Sequence, residues 1–276
     1  MTVKDAYLLV KESLTAEKIE DAGFEAKLIV KQVTGQDVFF GADKELSETD
    51  KAELLKILKK RQTRYPLQYI LGEWDFYKYT FKVGEGVLVP RSDTEILVEE
   101  CCKFLKNRQT ETVLDLCAGS GCIGISLAKD FPHTSVTLVE KFEGAFHYLK
   151  ENIKLNSAQN AKAVKGDIFD GTANESKYGL IVSNPPYIPP KEMEIISPET
   201  EFEPKTALLG GQDGLDFYRS IIKNYKQSLK TGGMFAFEVG INEDTAVADL
   251  LRTDGFTQIT VTKDLNGISR VVTAIK

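Results

Sequence analysis

The sequence predicts an α/β protein. A helical N-terminal domain, residues 1–72, precedes a mostly parallel seven-stranded sheet that helices cover on both faces. Two observations predict this fold. The first part of the chain places apolar residues at three- and four-residue spacing, as amphipathic helices do. From about Ser92 onward, short apolar strands alternate with helical stretches, which is the pattern of a doubly wound sheet.

The helical N-terminal domain contains the segments "VKDAYLLVKESL", "EDAGFEAKLIVKQV" and "SETDKAELLKILKKR". Ser47 is the predicted N-cap of the third helix, with acidic residues in its first turn. That helix ends in Lys59, Lys60 and Arg61, which favour the negative end of the helix dipole. We interpret these bases as a solvated helix end, in preference to a contact with RNA or an acidic partner.

A predicted β-hairpin, residues 73–91, links this domain to the domain formed by residues 92–276. The segment "WDFYKYTFKVGEGVLVP" alternates in polarity, and its Gly84 and Gly86 suggest the hairpin. Beyond it, the predicted strands are "TVLDL", "SVTLVE", "AKAVKG", "YGLIVS", "MFAFEV", "FTQITVT" and "RVVTAI". Sheets of this kind bind ligands beyond the carboxyl ends of their strands. The loops "DLCAGSG" and "SNPPY" both follow strands, so we expect them at that edge.

The composition limits the function. The chain has 276 residues, a net charge of -6 and no apolar run long enough to span a membrane. A protein that mainly grips DNA usually has a basic face, so no stable nucleic-acid binding is expected. The cysteines show no zinc-binding spacing, so no metal is expected, and a reduced, cytoplasmic protein is the default.

The glycine loop predicts a nucleotide-like ligand. Gly119 begins a G-x-G-x-x-G run between a strand and a helix, and Glu140 ends the next strand, where a ribose-binding acid belongs. The negative charge of Asp115, just before the loop, would oppose a pyrophosphate. S-adenosylmethionine carries ribose hydroxyls and cationic groups but no phosphate, and it fits these acids better than a dinucleotide does.

Two further residues extend this predicted cofactor site. After the third strand, Asp167 is placed to accept a hydrogen bond from the adenine amino group, with Ile168 against the adenine face. A loop cap is an equally good interpretation of Asp167.

The second loop, "SNPPYIPP", predicts a rigid site for a planar NH₂ group. The side chain of Asn184 and the carbonyl of Pro185 offer two acceptors at a fixed angle, and the prolines keep the segment stiff. Binding both N–H bonds turns the nitrogen lone pair toward a methyl donor. Tyr187 is predicted to stack on the flat substrate. Asn184 also lies beside the predicted cofactor, so it belongs to both sites.

Taken in order, "YPLQYILGEWDFY", "VLVPRSDTEILVE", "SNPPYI", "EPKTALLGGQDGLDFYR" and "FEVG" resemble the release-factor glutamine N5-methyltransferases, the HemK/PrmC family. The resemblance covers most of the chain. It implies a Rossmann-like class I methyltransferase domain that binds S-adenosyl-L-methionine, with peptide chain release factors as partners. The predicted acceptor is the side-chain amide of the glutamine in their Gly-Gly-Gln motif.

The family's roles map onto residues of this chain. The glycine loop, Cys117, Ala118, Gly119, Ser120 and Gly121, holds the cofactor, and Glu140 holds its ribose. The segment Asn184, Pro185, Pro186 and Tyr187 holds the glutamine. The chain departs from the usual "PRPETE" at Ser92 and Asp93. It also lacks an acid often seen before Arg270, for which a structural ion pair is the preferred interpretation.

Three alternatives remain at this stage. The sister family that methylates a glutamine of a ribosomal protein also has a Pro-Arg-Ser start, and a DNA adenine-N6 methyltransferase would share both loops. A non-catalytic binding module would leave both loops unexplained. The chain also contains Gly210-Gly211-Gln212. We interpret it as a turn before a helix that begins at Gln212 or Asp213, rather than as a site of self-methylation.

The long loop after Tyr187 predicts how a partner is attracted. It carries five glutamates, and a domain that works against ribosomal RNA should have a basic surface that these acids steer. A solvated connector is an equally good interpretation for any one of them. The five are Glu192, Glu194, Glu199, Glu201 and Glu203.

Overall fold

The computed structural model describes residues 1–106, 108, 111–193 and 196–276. The chain forms two compact units. One consists of residues 1–72 together with the short segment 197–202, and the other of residues 73–196 and 203–276. Glu194, one of the predicted steering acids, lies outside the described residues.

The first unit is a small helical bundle. Its helices are α1 (Val3–Ala16), α2 (Ala22–Thr34), α3 (Glu48–Gln62) and α4 (Leu67–Leu71). The apolar positions of α1, α2 and α3 meet in one core, which includes Val10, Leu14 and Leu54. Ser47 caps α3 as predicted: its side chain accepts from the Asp50 amide, and the Asp50 side chain accepts from the Ser47 amide.

The end of α3 differs from the prediction of a solvated helix end. Lys59 and Lys60 are exposed, but only 3% of Arg61 is accessible to solvent. Its guanidinium donates to Glu25 at 2.7 Å and to Glu199 at 2.9 Å. The prediction was wrong for Arg61 because helix-dipole reasoning does not detect a carboxylate that is distant in sequence.

Glu199 belongs to the short segment that joins the first unit. It also forms an ion pair with Arg64 at 3.0 Å, while the ring of Phe202 packs edge-on against Tyr65 with centroids 5.3 Å apart. Neither predicted role of Glu199, steering acid or solvated connector, fits this arrangement. The carboxylate is neutralised by two arginines and anchors the segment.

The β-hairpin lies in the second unit, and its strands are β1 (Glu73–Phe76) and β2 (Tyr79–Lys82). The turn is formed by Tyr77 and Lys78, not by the glycines from which a hairpin was predicted. Tyr77 adopts a positive φ of 57°. Asp130 holds the hairpin, because its side chain accepts a hydrogen bond from the Tyr79 hydroxyl at 2.7 Å.

The seven-stranded sheet confirms the predicted fold class. Its strands stand in the order β5-β4-β3-β6-β7-β9-β8, with β9 antiparallel to β7 and to β8 and the other neighbours parallel. The strands are β3 (Thr112–Leu116), β4 (Ser135–Glu140), β5 (Ala161–Lys165), β6 (Tyr178–Ser183), β7 (Leu229–Glu238), β8 (Thr257–Lys263) and β9 (Ser269–Ile275).

Helices cover both faces of this sheet. The alternation of side chains along β3 sends Val113 into one apolar cluster and Leu114 into the other. The first cluster includes residues of α5, α6 and α7, and the second those of α8 and α9. These helices are α5 (Thr94–Leu105), α6 (Cys122–Asp130), α7 (Glu143–Leu155), α8 (Asp216–Tyr225) and α9 (Asp244–Thr253).

Burial on both faces explains why β6 reads as a continuous apolar run, since every residue from Tyr178 to Ser183 is buried. Short 3₁₀ helices occupy several connections: Ile168–Asp170, Pro190–Glu192, Pro198–Phe202 and Lys205–Ala207. No helix within the described ranges is both long and apolar enough to cross a membrane.

Candidate functional site

The glycine loop and the Asn-Pro-Pro loop begin side by side. They leave the carboxyl ends of β3 and β6, which are parallel neighbours with Leu116 opposite Ser183. The Ser183 hydroxyl donates to the Leu116 carbonyl at 2.7 Å and ties the two strand ends together. The order of the strands reverses here, and this is where a doubly wound sheet leaves a crevice for a ligand.

A cavity of the second unit opens at this crevice. Most of the residues predicted to bind the cofactor line it, and so do two of those predicted to hold the substrate. The predicted residues in its wall are Cys117, Ala118, Gly119, Ser120, Glu140, Asp167, Ile168, Asn184 and Pro186. Four predicted residues are not in its wall: Asp115, Gly121, Pro185 and Tyr187.

Two glycines of the loop have opposite surroundings. Gly119 has a φ of +56°, and a Cβ atom added to it would meet no atom within 4 Å, so it borders open space. Gly121, at φ +84°, has the opposite environment, because an added Cβ would lie 2.5 Å from a methyl group of Leu149. Gly121 therefore supports the loop without facing the ligand.

Asp115 supports the loop as well. It is completely buried, and its Oδ2 accepts from the Gly124 amide at 2.9 Å. A Cβ on Gly124 would lie 2.6 Å from Leu138 and 2.8 Å from this carboxylate, so only glycine lets α6 approach the strands so closely. The geometry does not favour the predicted contact of Asp115 with the cofactor, because its carboxylate is directed into the protein.

Glu140 lines the cavity at the end of β4, and its contact with a ribose stays a prediction. Its Oε2 accepts from the Gly119 amide at 2.9 Å and its Oε1 from the Phe142 amide at 2.7 Å. Burial raises the pKa of this carboxyl, and the hydrogen bonds from Phe142 and Gly119 oppose the shift. Each carboxylate oxygen has a second lone pair, so both can still accept hydrogen bonds from a vicinal diol.

We expect Glu140→Ala to weaken cofactor binding more than it lowers turnover at saturating cofactor. A ribose contact is similar in the ground and transition states, so its loss should appear mainly in KM. Titration calorimetry with S-adenosylmethionine measures the change in affinity. Glu143→Ala, an exposed glutamate at the start of α7, is the matched control. Equal affinity of Glu140→Ala and the parent protein would refute the assignment.

Asp167 combines the two predicted interpretations. Its Oδ1 accepts from the Phe169 amide at 3.0 Å, as a loop cap does, and its Oδ2 pairs with Lys141 at 2.7 Å. Its side chain nevertheless lines the cavity beside the buried Ile168. Contact of Asp167 with an adenine amino group stays a prediction, and the cap is observed.

Asn184 has a defined orientation at the cavity wall. Its Nδ2 donates to the hydroxyl of Thr94 at 3.2 Å, across 90 residues of sequence. This hydrogen bond occupies the nitrogen side of the amide, so the acceptor Oδ1 stays available on the other side. An amide held in this way can accept one N–H bond of a planar NH₂ group, and that contact stays a prediction.

Tyr187 lies outside the cavity wall. Its hydroxyl donates to Glu238 at 3.4 Å, and its ring packs against Gly240 and the second apolar cluster. Burial raises the pKa of this phenol well above its usual value. The ring therefore stabilises the loop from behind, and the geometry does not favour the predicted stacking role.

The Gly-Gly-Gln segment of the chain is a turn. An added Cβ on Gly210 would lie 2.5 Å from the Tyr187 Cα, and Gly211 has a φ of +94°. Helix α8 begins at Asp216, a few residues later than predicted, because Gly214 also adopts a positive φ. The interpretation as a turn is confirmed.

Sequence reasoning missed several parts of the cavity wall. Three aromatic side chains line it, and two of them, Phe169 and Phe217, form an edge-on pair with centroids 5.1 Å apart. Phe142 is the third, and 40% of it is exposed. A phenylalanine two residues after the predicted ribose-binding acid was a signal that could have identified it.

The segment before α5 forms another part of the cavity wall that the sequence did not predict. Glu203, a predicted steering acid, is buried, accepts from the Val89 amide at 3.1 Å and pairs with Arg91. The steering prediction was wrong for Glu203, because this carboxylate fixes the chain around the cavity. Arg270 forms structural ion pairs, as preferred, with Asp93 at 2.8 Å and with Asp264 at 3.0 Å.

Comparison with known proteins agrees with this architecture. Residues 92–198 match the family model "Methyltransferase small domain", and residues 5–72 match "PrmC N-terminal domain". A release factor glutamine methyltransferase of Clostridium botulinum is 35% identical, covering 100% of both chains. Proteins of the same name from Geobacter sulfurreducens and Fusobacterium nucleatum are 38% and 40% identical, over 93% and 90% of this chain and 91% and 70% of theirs.

Solved structures show the same fold at lower identity. The 16S rRNA N2 G1207 methyltransferase of T. thermophilus, solved with AdoMet and guanosine, matches with a TM-score of 0.56 and 22% identity. The match covers 74% of this chain and 49% of that one. The hMettl16 catalytic domain matches with a TM-score of 0.57 and 14% identity, over 83% and 81% of the two chains.

Proposed function

Because the chain belongs to the release factor glutamine methyltransferase family, we propose that it transfers a methyl group from S-adenosyl-L-methionine to a release-factor glutamine. The acceptor is the side-chain amide N5 of the glutamine in the Gly-Gly-Gln motif of peptide chain release factors. The observation that carries this proposal is the juxtaposition of Asn184 and Glu140 in one cavity, beside the glycine loop.

The residues of the cavity fit the cofactor. Gly119 borders open space, where a side chain would occupy ligand volume, and Glu140 lines the same cavity. Ile168 and the phenylalanines offer apolar surface for an adenine ring. When bound, S-adenosylmethionine supplies an electrophilic methyl group on a sulfonium. The carboxylates of Glu140 and Asp167 in the wall disfavour a phosphate-bearing dinucleotide.

The second loop fits a carboxamide acceptor. Asn184 Oδ1 accepts one N–H bond of the substrate and the Pro185 carbonyl the other. An amide nitrogen is a poor nucleophile because its lone pair is delocalised, so holding both hydrogens eases its loss of conjugation. The substrate nitrogen becomes cationic late in the transfer and then loses its proton to water. These contacts strengthen as positive charge develops on nitrogen, which lowers the barrier.

Recognition must extend beyond the tripeptide, because three residues are too few to select one protein. Two glycines before the glutamine leave a nearly bare backbone that can enter a narrow slot beside the prolines. Of the five predicted steering acids, Glu192 and Glu201 remain exposed, whereas Glu199 and Glu203 have arginine partners. We propose that the exposed pair assists the attraction of a basic partner.

The test is methyl transfer from radiolabelled S-adenosylmethionine to three acceptors: a release factor, a ribosomal protein and DNA. We expect mass spectrometry to find one added methyl group on the glutamine of the release factor, and none after glutamine is changed to glutamate. Methylation of the ribosomal protein or of DNA adenine, with the release factor untouched, would overturn the proposal.

A salt series separates the steering contribution from the chemistry. We expect KM for the release factor to rise with ionic strength, because screening weakens long-range attraction between charges. Glu192→Gln combined with Glu201→Gln should flatten this dependence, with turnover at saturating substrate retained. If KM of the parent protein does not change with ionic strength, the steering role is excluded and the proposed reaction is unaffected.

A further inference from the structure

A buried carboxylate lies behind the Asn-Pro-Pro loop. Glu238 is the last residue of β7 and is 3% exposed, and the Tyr187 hydroxyl donates to its Oε1 at 3.4 Å. Its Oε2 is buried and has no hydrogen bond of ordinary length within the described part of the chain. Burying such an atom is unfavourable, so a carboxylate at this position calls for a function.

Thr94 connects this carboxylate to the substrate site. It is 2% exposed, and its Oγ1 accepts the hydrogen bond from the Asn184 amide. Burial raises the pKa of Glu238 to about 7, and the Thr94 hydroxyl lies close enough to oppose that shift. The proton of this hydroxyl needs an acceptor, and Oε2 of Glu238 needs a donor.

We propose that Glu238 is a positioning residue that sets the direction of the hydrogen bonds through Thr94, so that Asn184 presents its carbonyl oxygen to the substrate amide. An ionised carboxylate can only accept hydrogen bonds, so the Thr94 hydroxyl must donate to it. The lone pairs of Thr94 then accept from Asn184 Nδ2. This inference rests on the proposed function, because it concerns how the same site holds the acceptor.

Protonation of Glu238 removes this constraint. A carboxylic acid can donate to Thr94, whose hydroxyl is then free to donate to Asn184 Oδ1, and the amide would turn its NH₂ group toward the substrate. The NH₂ group of Asn184 would then face the NH₂ group of the substrate, and no hydrogen bond could form between them. Asp93 raises the pKa of Glu238, whereas Arg270 and Tyr187 lower it, and the titratable side chains of Tyr218 and Cys122 also lie close enough to interact with this carboxylate. Because the carboxylate is the active form, turnover should rise with pH around pH 7.

The experiment compares kcat against pH in the full-length chain and in variants. We expect Glu238→Gln to lower kcat about tenfold at pH 8, the effect of one misdirected hydrogen bond, and to abolish the rise with pH. Glu243→Gln is the matched control. Burial raises the pKa of Glu243 to about 7 as well. The Glu243 carboxylate accepts from the Gly240 amide and not from Thr94, so kcat of the Glu243→Gln variant should still rise with pH.

Two variants of Thr94 distinguish the effect of its hydrogen bonds from the effect of its packing. Thr94→Val keeps the shape and removes the hydroxyl, so kcat should fall about tenfold with unchanged affinity for S-adenosylmethionine. Thr94→Ser restores the hydroxyl and should restore most of the turnover. A purely structural role of Thr94 would instead lower the melting temperature of both variants and leave the pH profile unchanged.

A readout without any acceptor distinguishes this inference from the proposed function. The side-chain NH₂ resonance of Asn184, identified by its loss in Asn184→Ala, should titrate near pH 7 in the parent protein. In Glu238→Gln it should not titrate. The inference is overturned if this resonance does not change with pH. It is also overturned if Glu238→Gln keeps the turnover of the parent protein and the rise of kcat with pH. If the resonance titrates but no release factor is methylated, the proposed function fails alone.

Discussion

Asn184→Ala should lower turnover by about 10²- to 10³-fold, while the affinity for S-adenosylmethionine stays within about an order of magnitude. The expected loss is that of one hydrogen-bonding group placed at the reacting centre. The Asn184 amide is held by Thr94 with its oxygen side available, so alanine removes the acceptor itself. Single-turnover kinetics with a release factor measures the chemical step, and calorimetry measures cofactor affinity.

Asn184→Asp sharpens this test. Aspartate keeps an acceptor toward the substrate but cannot donate to Thr94, and it adds a negative charge at the cavity wall. We expect its turnover to be low as well, because orientation and not only the presence of an acceptor matters. Asn266→Ala, an exposed turn residue, serves as the control and should match the parent protein. Unchanged turnover in Asn184→Ala would remove the role assigned to this side chain.

Arg61→Ala should destabilise the helical unit by about 3–5 kcal/mol. Removing one partner of a buried ion pair leaves the other charges uncompensated, which is far less favourable than replacing the whole pair by apolar groups. Arg61 is almost fully buried and holds two carboxylates, those of Glu25 and Glu199. Native-state hydrogen exchange measures the change within α3 even where global unfolding is not two-state.

The neighbouring Lys59→Ala is the matched control for this prediction. Lys59 is exposed on the same helix turn, and its removal should change stability by no more than about 0.5 kcal/mol. The triple variant in which Arg61, Glu25 and Glu199 become Met, Gln and Gln should recover part of the loss. Equal exchange protection in Arg61→Ala and Lys59→Ala would show that the buried ion pairs contribute little.

Sequence reasoning predicted the elements of the fold well where the signal is local. The alternation of apolar strands with helices indicated the sheet, and Ser47 marked the start of α3 through its own capping interaction. The hairpin turn was misplaced because Tyr77 adopts a conformation that glycine usually supplies. Nothing in the neighbouring residues of Tyr77 indicates that conformation.

The same distinction applies to the site. The G-x-G-x-x-G run and Asn-Pro-Pro are contiguous, so their place at the sheet edge followed from the strands before them. The contact of Asn184 with Thr94 joins residues 90 positions apart, and that of Tyr187 with Glu238 spans 51 positions. Such pairs leave no pattern in the sequence. The burial of the Asp115 carboxylate was not predictable, because a motif gives the position of a carboxylate but not the direction in which it points.

The discontinuous make-up of the helical unit also has a consequence for synthesis on the ribosome. Residues 1–72 emerge first, but the segment 197–202 that completes their unit emerges 130 residues later, counted from Gly72 to Phe202. At elongation rates of about 5–20 residues per second this interval is roughly 6–26 s. Until then the guanidinium of Arg61 lacks Glu199. The nascent bundle must therefore persist as an incomplete intermediate while most of the methyltransferase sheet is still being translated.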